Sequence, residues 1–331
     1  MADGLISPAV AGVMYVASAA AAVYSVKKVR EEDDVKIVPL MGVMGAFVFA
    51  VQMINFTIPG TGSSGHLCGG LLLSALLGPY AAFLAMISVL LIQCLMFADG
   101  GLLALGSNIW NMAFYGCFIG YLCIYKPIAK SGASTGKIIA GSVLGSVIGL
   151  QLGAISVVIE TMLSGVTELP FGVFAALMQP IHLAIGIGEG LITAAVLVFV
   201  NNARPELLNS ADTKKSRMSY KKTLAVLAVA AALAAGGLSL AASAKPDGLE
   251  WSIEKITGTT DVERDGGVYD TTADIQDTTS ILPDYAFPKS ESAAGTSISG
   301  ILGCGVVAAV CIGGCFIFKL FNRKKGAKTN A

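Results

Sequence analysis

His66 sits in a glycine-rich loop that reads Pro59-Gly-Thr-Gly-Ser-Ser-Gly-His-Leu-Cys-Gly-Gly70, and it is one of only two histidines in the chain. Imidazole suits divalent transition metals, so the loop points to a small cationic substrate. Glycine reaches backbone conformations that other residues do not and lets polar groups approach closely. The loop lies between two apolar runs, and non-helical backbone at membrane depth is tolerated only where it is buried in protein or lines a cavity. The plainer reading is an imidazole that caps a helix or satisfies loop carbonyls. No second histidine or thiolate stands at metal-ligand spacing, so other ligands would come from elsewhere in the fold. His182 and Glu189 lie two helical turns apart, with Gly186 and Thr193 on the same face. An ionisable residue inside a membrane is costly and marks function by default. Its alternative is a buried polar network that fixes helix register.

Gly62-Ser-Ser-Gly65 together with His182 resembles the serine motif and distant histidine of rhomboid-type intramembrane proteases. In that reading the His182 imidazole takes the Ser64 hydroxyl proton. The tetrapeptide does not, however, sit at the start of a long helix. Replacing Ser64 by alanine separates this reading from metal transport, because proteolysis would vanish while metal uptake would survive. Two other motifs fall short. Gly132-Ala-Ser-Thr-Gly-Lys137 is too short for a phosphate loop and lacks the following Ser or Thr. Asp261-x-Glu-x-Asp-Gly266 begins like a calcium loop, but its twelfth position is Thr272 rather than Glu.

The elements that must position these residues are membrane helices. Of 331 residues, 54% are hydrophobic and 13% charged, and the mean hydropathy is +0.73; soluble domains carry about 25% charged residues. The chain is an all-α polytopic membrane protein. No basic patch with interleaved aromatics appears, and no nucleic-acid partner is expected. The seven cysteines include no C-x-x-C pair and read as small packing residues.

Ser7 to Val26 is long enough to span a bilayer and is followed by Lys27-Lys-x-Arg30. The positive-inside rule then places the N-terminus outside and uncleaved. Ile37 to Ile58 leads back to the glycine loop. Leu67 to Leu77 is too short to cross alone, so the loop itself is expected to enter the membrane. Tyr80 to Ala98, Leu105 to Tyr125, Lys137 to Leu163 and Phe171 to Val200 complete a seven-helix bundle, with the basic clusters all on one side. Glycines at 141, 145, 149 and 153, at 116 and 120, and at 186 and 190 repeat the small-residue spacing by which membrane helices pack. A polar, basic linker at 203–222 follows. Met218-Ser-Tyr-Lys-Lys then leads an apolar run ending in Ala242-Ser-Ala244, in outline the start of a second protein. Thr223 to Ala244 and Ile298 to Phe318 flank a polar external region, making nine crossings with a cytoplasmic C-terminus.

Six segments together resemble the substrate-binding membrane component of cobalt/nickel energy-coupling-factor transporters. They are Asp3-Gly-Leu-Ile-Ser-Pro8, Gly45-Ala-Phe-Val-Phe49, the glycine loop, Asp99-Gly-Gly-Leu-Leu-Ala-Leu-Gly106, Asn108 and His182-x-x-Ile-Gly-x-x-Glu-Gly190. The match covers residues 1 to about 202. Lys245-Pro-Asp-Gly-Leu-Glu250 with Leu282-Pro-Asp-Tyr285 resembles the PDGLE accessory module of the same transporters, over roughly 218 to 325. The resemblance implies domains at 1–202 and 223–325 and a plasma- or inner-membrane location. It also implies a cobalt or nickel ion as transported substrate rather than resident cofactor, feeding cobalamin biosynthesis or nickel enzymes. A coupling transmembrane subunit and separate ATP-binding ATPase subunits would be the partners; the chain itself is not an enzyme.

By the same resemblance the metal is held by the N-terminal amine and backbone, a histidine at position two, and the loop histidine. His66 and Met1 match two of these, but position two is Ala2. The match from Asp3 onward leads us to expect a true start two residues upstream, Met-His before Met1. Such nitrogen-rich coordination fits nickel or cobalt(II) better than calcium or magnesium, without separating the two. Asn108 is expected to support the glycine loop, and the His182–Glu189 face to orient the bundle or meet a partner.

Overall fold

Backbone in hydrocarbon must satisfy its own N–H and C=O groups, so apolar runs become helices. The computed structural model describes residues 1–32, 37–129, 134–208, 216–260, 262–288 and 292–329. Gly132, Ala133, Asp261 and part of the linker, the sites of three sequence readings, lie outside the described residues. Over residues 1–208 the helices are α1 (Pro8–Glu32), α2 (Ile37–Gln52), α3 (Gly70–Leu77), α4 (Pro79–Phe97), α5 (Leu105–Ala129), α6 (Thr135–Ser164) and α7 (Phe171–Ala203). Residues Ile109–Tyr125 of α5 are wound as a π-helix. α8 (Tyr220–Gly236), α9 (Gly248–Thr257), α10 (Val268–Thr279) and α11 (Ala293–Thr329) follow. The only sheet among the described residues is a hairpin of β1 (Phe56–Thr57) and β2 (Ser64–Gly65), with Phe56 opposite Gly65 and Thr57 opposite Ser64.

Nine crossings are expected from the sequence, whereas among the described residues six helices (α1, α4, α5, α6, α7 and α11) are long and apolar enough to cross. The difference lies in where three apolar runs stop being helical. The run from Ile37 leaves the helix after Gln52 to enter the hairpin. The run from Thr223 ends at Gly236-Gly237 and turns through a short 3-10 segment, Leu238–Ala241. The run from Leu67 yields only the eight residues of α3, every one of them buried. α3 is thus a half-helix held inside the protein, as its shortness predicts.

Close backbone approach sets the bundle. A Cβ on Gly120 would lie 2.7 Å from the Gly145 carbonyl oxygen, and one on Gly153 would lie 2.5 Å from that of Asn111. Between α6 and α7, a Cβ on Gly186 would meet Val147 Cα at 2.9 Å, and one on Gly190 would meet Val143 Cα at 2.5 Å. The four-residue glycine spacing is therefore a packing device. Gly190→Val is expected to force α6 and α7 apart, at a cost of about 1–3 kcal/mol or more. A lowered melting temperature of the purified protein in detergent checks this.

The accessory helices pack on α2. Gly42 lies against Ile312, and Gly45 lies against Val307 and Cys311, all on α11. The Cys304 thiol donates to the Ala46 carbonyl. Phe49, Phe83, Phe97, Leu71, Leu72 and Met86 are the large side chains of the core around α3.

Candidate metal-capture site

The glycine loop is built by the hairpin and its turn. Ile58 N donates to Ser63 O at 2.9 Å, and Gly60 and Gly62 carry φ of 78° and 83°, values that side-chain-bearing residues rarely adopt. His66 follows directly, half-buried, with Nδ1 3.0 Å from the Leu67 carbonyl oxygen. A carbonyl only accepts, so Nδ1 carries the proton and Nε2 keeps its lone pair. That is the tautomer a metal-binding histidine adopts when its other nitrogen is anchored.

The residues after His66 are held from two sides. Glu189, 2% exposed on α7, accepts from Cys68 N and Gly69 N, each at 3.0 Å. These are N–H groups at the start of α3, where orphan donors and the helix dipole both favour a carboxylate. From α2, Gln52 Nε2 donates to Cys68 O at 2.7 Å, and Gln93 Nε2 on α4 donates to Gln52 Oε1 at 2.9 Å. His66 also lies near both His182 and Glu189.

A second chain segment converges on the same end of the bundle. Residues Asp3–Leu5 form a 3-10 turn. Met1 O accepts from Gly101 N at 3.1 Å and from Asn108 Nδ2 at 3.2 Å. Asn108 thus supports the N-terminal segment and not the glycine loop, because α5 begins beside residues 1–6 while Glu189 and Gln52 already hold the loop. Asp3 accepts from Ala104 N through Oδ1 and from Thr272 Oγ1 through Oδ2, both at 2.9 Å. The residue that spoils the calcium-loop pattern therefore serves to fix Asp3. Asp3→Ala is expected to free the N-terminal segment and weaken metal binding about tenfold, the lower end of the loss for a supporting contact. Equilibrium dialysis with nickel(II) on the purified variant checks it.

The accessory part closes over both segments. Asp247 and Glu250 form a capping box at the start of α9. Just before it, Ser64 N donates to Pro246 O at 2.8 Å and Ser64 Oγ donates to Lys245 O at 2.7 Å. Trp251 Nε1 donates to Thr61 O at 3.0 Å. A Cβ on Gly248 would stand 3.1 Å from His182 Cε1 and 2.9 Å from Ile185 Cδ1, so glycine lets α9 sit directly on α7. Meanwhile α10 grips the N-terminal side: Tyr269 OH donates to Ile6 O at 3.0 Å, and Gln276 Nε2 donates to Gly100 O at 2.9 Å. His182 Nδ1 donates to Met178 O at 2.8 Å within its own helix. The His182–Glu189 face therefore meets the accessory module and the glycine loop of this same chain.

This geometry bears on the chemistry available. The Ser64 hydroxyl proton is directed at the main-chain carbonyls of Lys245 and Pro246 and not at His182, so the two side chains are not arranged as nucleophile and base. Among the described residues no three His, Cys, Asp or Glu side chains converge as a metal cage. The charge of the Met1 amine reaches Cys94, Glu160 and Glu250. Sequence reasoning did not single out Gln52, Gln93, Trp251 or Tyr285 as site supports, although two amides inside apolar runs are a visible signal of buried polar work.

Residues 1–207 match the family described as the cobalt uptake substrate-specific transmembrane region, and residues 221–320 match the PDGLE domain. The chain belongs to this family of metal-uptake membrane components, with a PDGLE domain joined to it. An Archaeoglobus fulgidus protein provisionally named as a fused nickel transport protein is 37% identical, over 93% of this chain and 95% of its own length. A cobalt transport protein of Sorangium cellulosum is 33% identical over 54% of this chain and 80% of its own. A crystal structure of a transition metal transporter superposes with a TM-score of 0.53 at 34% identity, covering 61% of this chain and 92% of that one.

Proposed function

We propose that the chain is the substrate-capture membrane subunit of an ATP-driven, energy-coupling-factor importer for cobalt or nickel ions. The observation that carries this reading is the placement, under the same accessory helix α9, of His66 with its Nε2 lone pair unused and of an N-terminal segment pinned by Asn108, Gly101 and Ala104. Residues 1–202 form the capture unit, residues 203–222 a cytoplasmic linker and residues 223–325 the accessory unit.

The metal enters from outside, with the N-terminus on that face and the C-terminus in the cytoplasm. His66 supplies one imidazole nitrogen, and Met1 with the main chain beside it supplies others. Glu189 keeps the His66 loop in place from below, and Asn108 holds the N-terminal segment through the Met1 carbonyl. Inward release follows from movement of the bundle, driven by a coupling membrane subunit and by separate ATPase subunits that hydrolyse ATP.

The test is metal binding by the purified full chain. Saturable one-to-one binding of nickel(II) or cobalt(II), undisturbed by a large excess of magnesium, is expected. Failure to bind either ion in folded protein would sink the reading.

A further inference from the structure

A chain of polar contacts joins the two halves of the site, and its middle member belongs to the accessory unit. Tyr285 OH donates to Asp99 Oδ2, and Asp99 heads the 99–104 segment that holds Met1 and Asp3. The Gln93 side chain lies beside the same hydroxyl. Gln93 passes to Gln52 at 2.9 Å, and Gln52 to the Cys68 carbonyl at 2.7 Å, two residues beyond His66. Donors and acceptors run consistently along this path. The Gln93 amide donates to Gln52 Oε1, which leaves the Gln52 amide protons free for Cys68.

The setting favours a stiff link. Gln52 and Gln93 are each only 5% exposed, so an unmade bond there has no solvent to replace it. The Tyr285 ring is stacked on Phe97 at 4.7 Å and 17° and lies edge-on to Phe49 at 6.3 Å. Burial, and secondarily the Asp99 charge, hold its hydroxyl well above the usual phenol range, so the proton it gives to Asp99 stays in place. The backbone closes the same loop, with Asp99 N donating to Gln93 O at 3.0 Å. Asp284 and Tyr285 both take positive φ, 52° and 57°, to present the ring at this point. Such conformations persist where surroundings over-determine them.

We propose that Tyr285 is a positioning residue for metal capture, setting the spacing between the N-terminal segment and the His66 loop through Gln93 and Gln52. This rests on the reading of His66 and the N-terminal segment as the metal site. The link is distinct from the contacts of α9 and α10 at the surface of that site, because it reaches the loop from within the bundle.

Tyr285→Phe removes the hydroxyl and keeps the ring stacking, and Gln52→Met keeps the volume. In the purified full chain each is expected to weaken nickel(II) binding about tenfold, as loss of an outer-shell partner does. The double variant should be weakened no further than either single one, because members of one network do not act additively. Hydrogen exchange in metal-free protein gives a readout independent of binding. Tyr285→Phe should speed exchange in both 66–70 and 99–104 while leaving the α6–α7 interface protected. Multiplying effects in the double variant, or faster exchange at 99–104 alone, would overturn the proposal. Normal metal binding by a His66→Ala chain would instead sink the site reading and leave the exchange result to judge the link.

Discussion

A chain carrying His66→Ala is expected to fold, reach the membrane and lose metal accumulation. The imidazole does not hold the loop together; among the described residues its hydrogen bond is to the neighbouring Leu67 carbonyl. The loop keeps its shape through the hairpin, Glu189 and Gln52. Stability should therefore change little, while the metal loses its side-chain nitrogen donor. His182 does not substitute, because its ring is anchored to Met178 on α7 and faces Gly248. Removal of a direct ligand should exceed the roughly 10–100-fold penalty known for outer-shell partners. Uptake of nickel or cobalt by cells, read beside membrane abundance and the melting temperature of the purified variant, measures both parts. Undiminished uptake would mean that the substrate is held elsewhere.

Glu189→Leu should have the opposite profile, damaging fold and site together. The carboxylate is the acceptor for two buried main-chain donors, Cys68 N and Gly69 N. Each donor left bare costs about 1–3 kcal/mol, and more where a charged partner has been removed. Together these losses are a large part of the stability of an ordinary domain, about 5–15 kcal/mol. The loop would then swing away from α7 and carry His66 with it. Glu189→Gln keeps one acceptor oxygen, so its loss should be intermediate. A thermal-melt series of wild type, Gln and Leu in that order, with metal affinity falling in the same order, is the expected outcome. Equal behaviour of Gln and Leu would show that charge, rather than the two hydrogen bonds, is what the site uses.

Much of the fold was legible from apolar length and glycine spacing. Gly145, Gly149 and Gly153 announce a helix face that admits another backbone, and they meet α5 as that spacing implies. The shortness of the Leu67–Leu77 run also predicted that the chain beside it enters the protein interior. The lengths of α2 and α8 were less legible, because hydropathy does not mark the residue at which a helix gives way to a hairpin or to Gly-Gly. In the site, the importance of His66, Asn108, His182 and Glu189 could be anticipated from their chemistry in an apolar setting, but not their partners. Asn108 lies adjacent to α5 glycines and binds a residue more than a hundred positions away, a contact that no local pattern encodes. Tyr285 escapes for the same reason: its role depends on Gln93 and Gln52 being brought beneath it by two separate helices, α4 and α2.

The indole of Trp251 donating to Thr61 has an optical consequence. The chain has two tryptophans. Trp110 is stacked on Phe114 at 3.9 Å inside the bundle, while Trp251 rests on the glycine loop with Lys255 Nζ 5.8 Å from its ring centre. Any motion that lifts α9 from the loop exposes this one indole to water and removes its hydrogen bond, while leaving Trp110 in its stack. The protein thus carries a native emission probe at the edge of its own site, and opening of the accessory unit can be followed in real time without attaching a label.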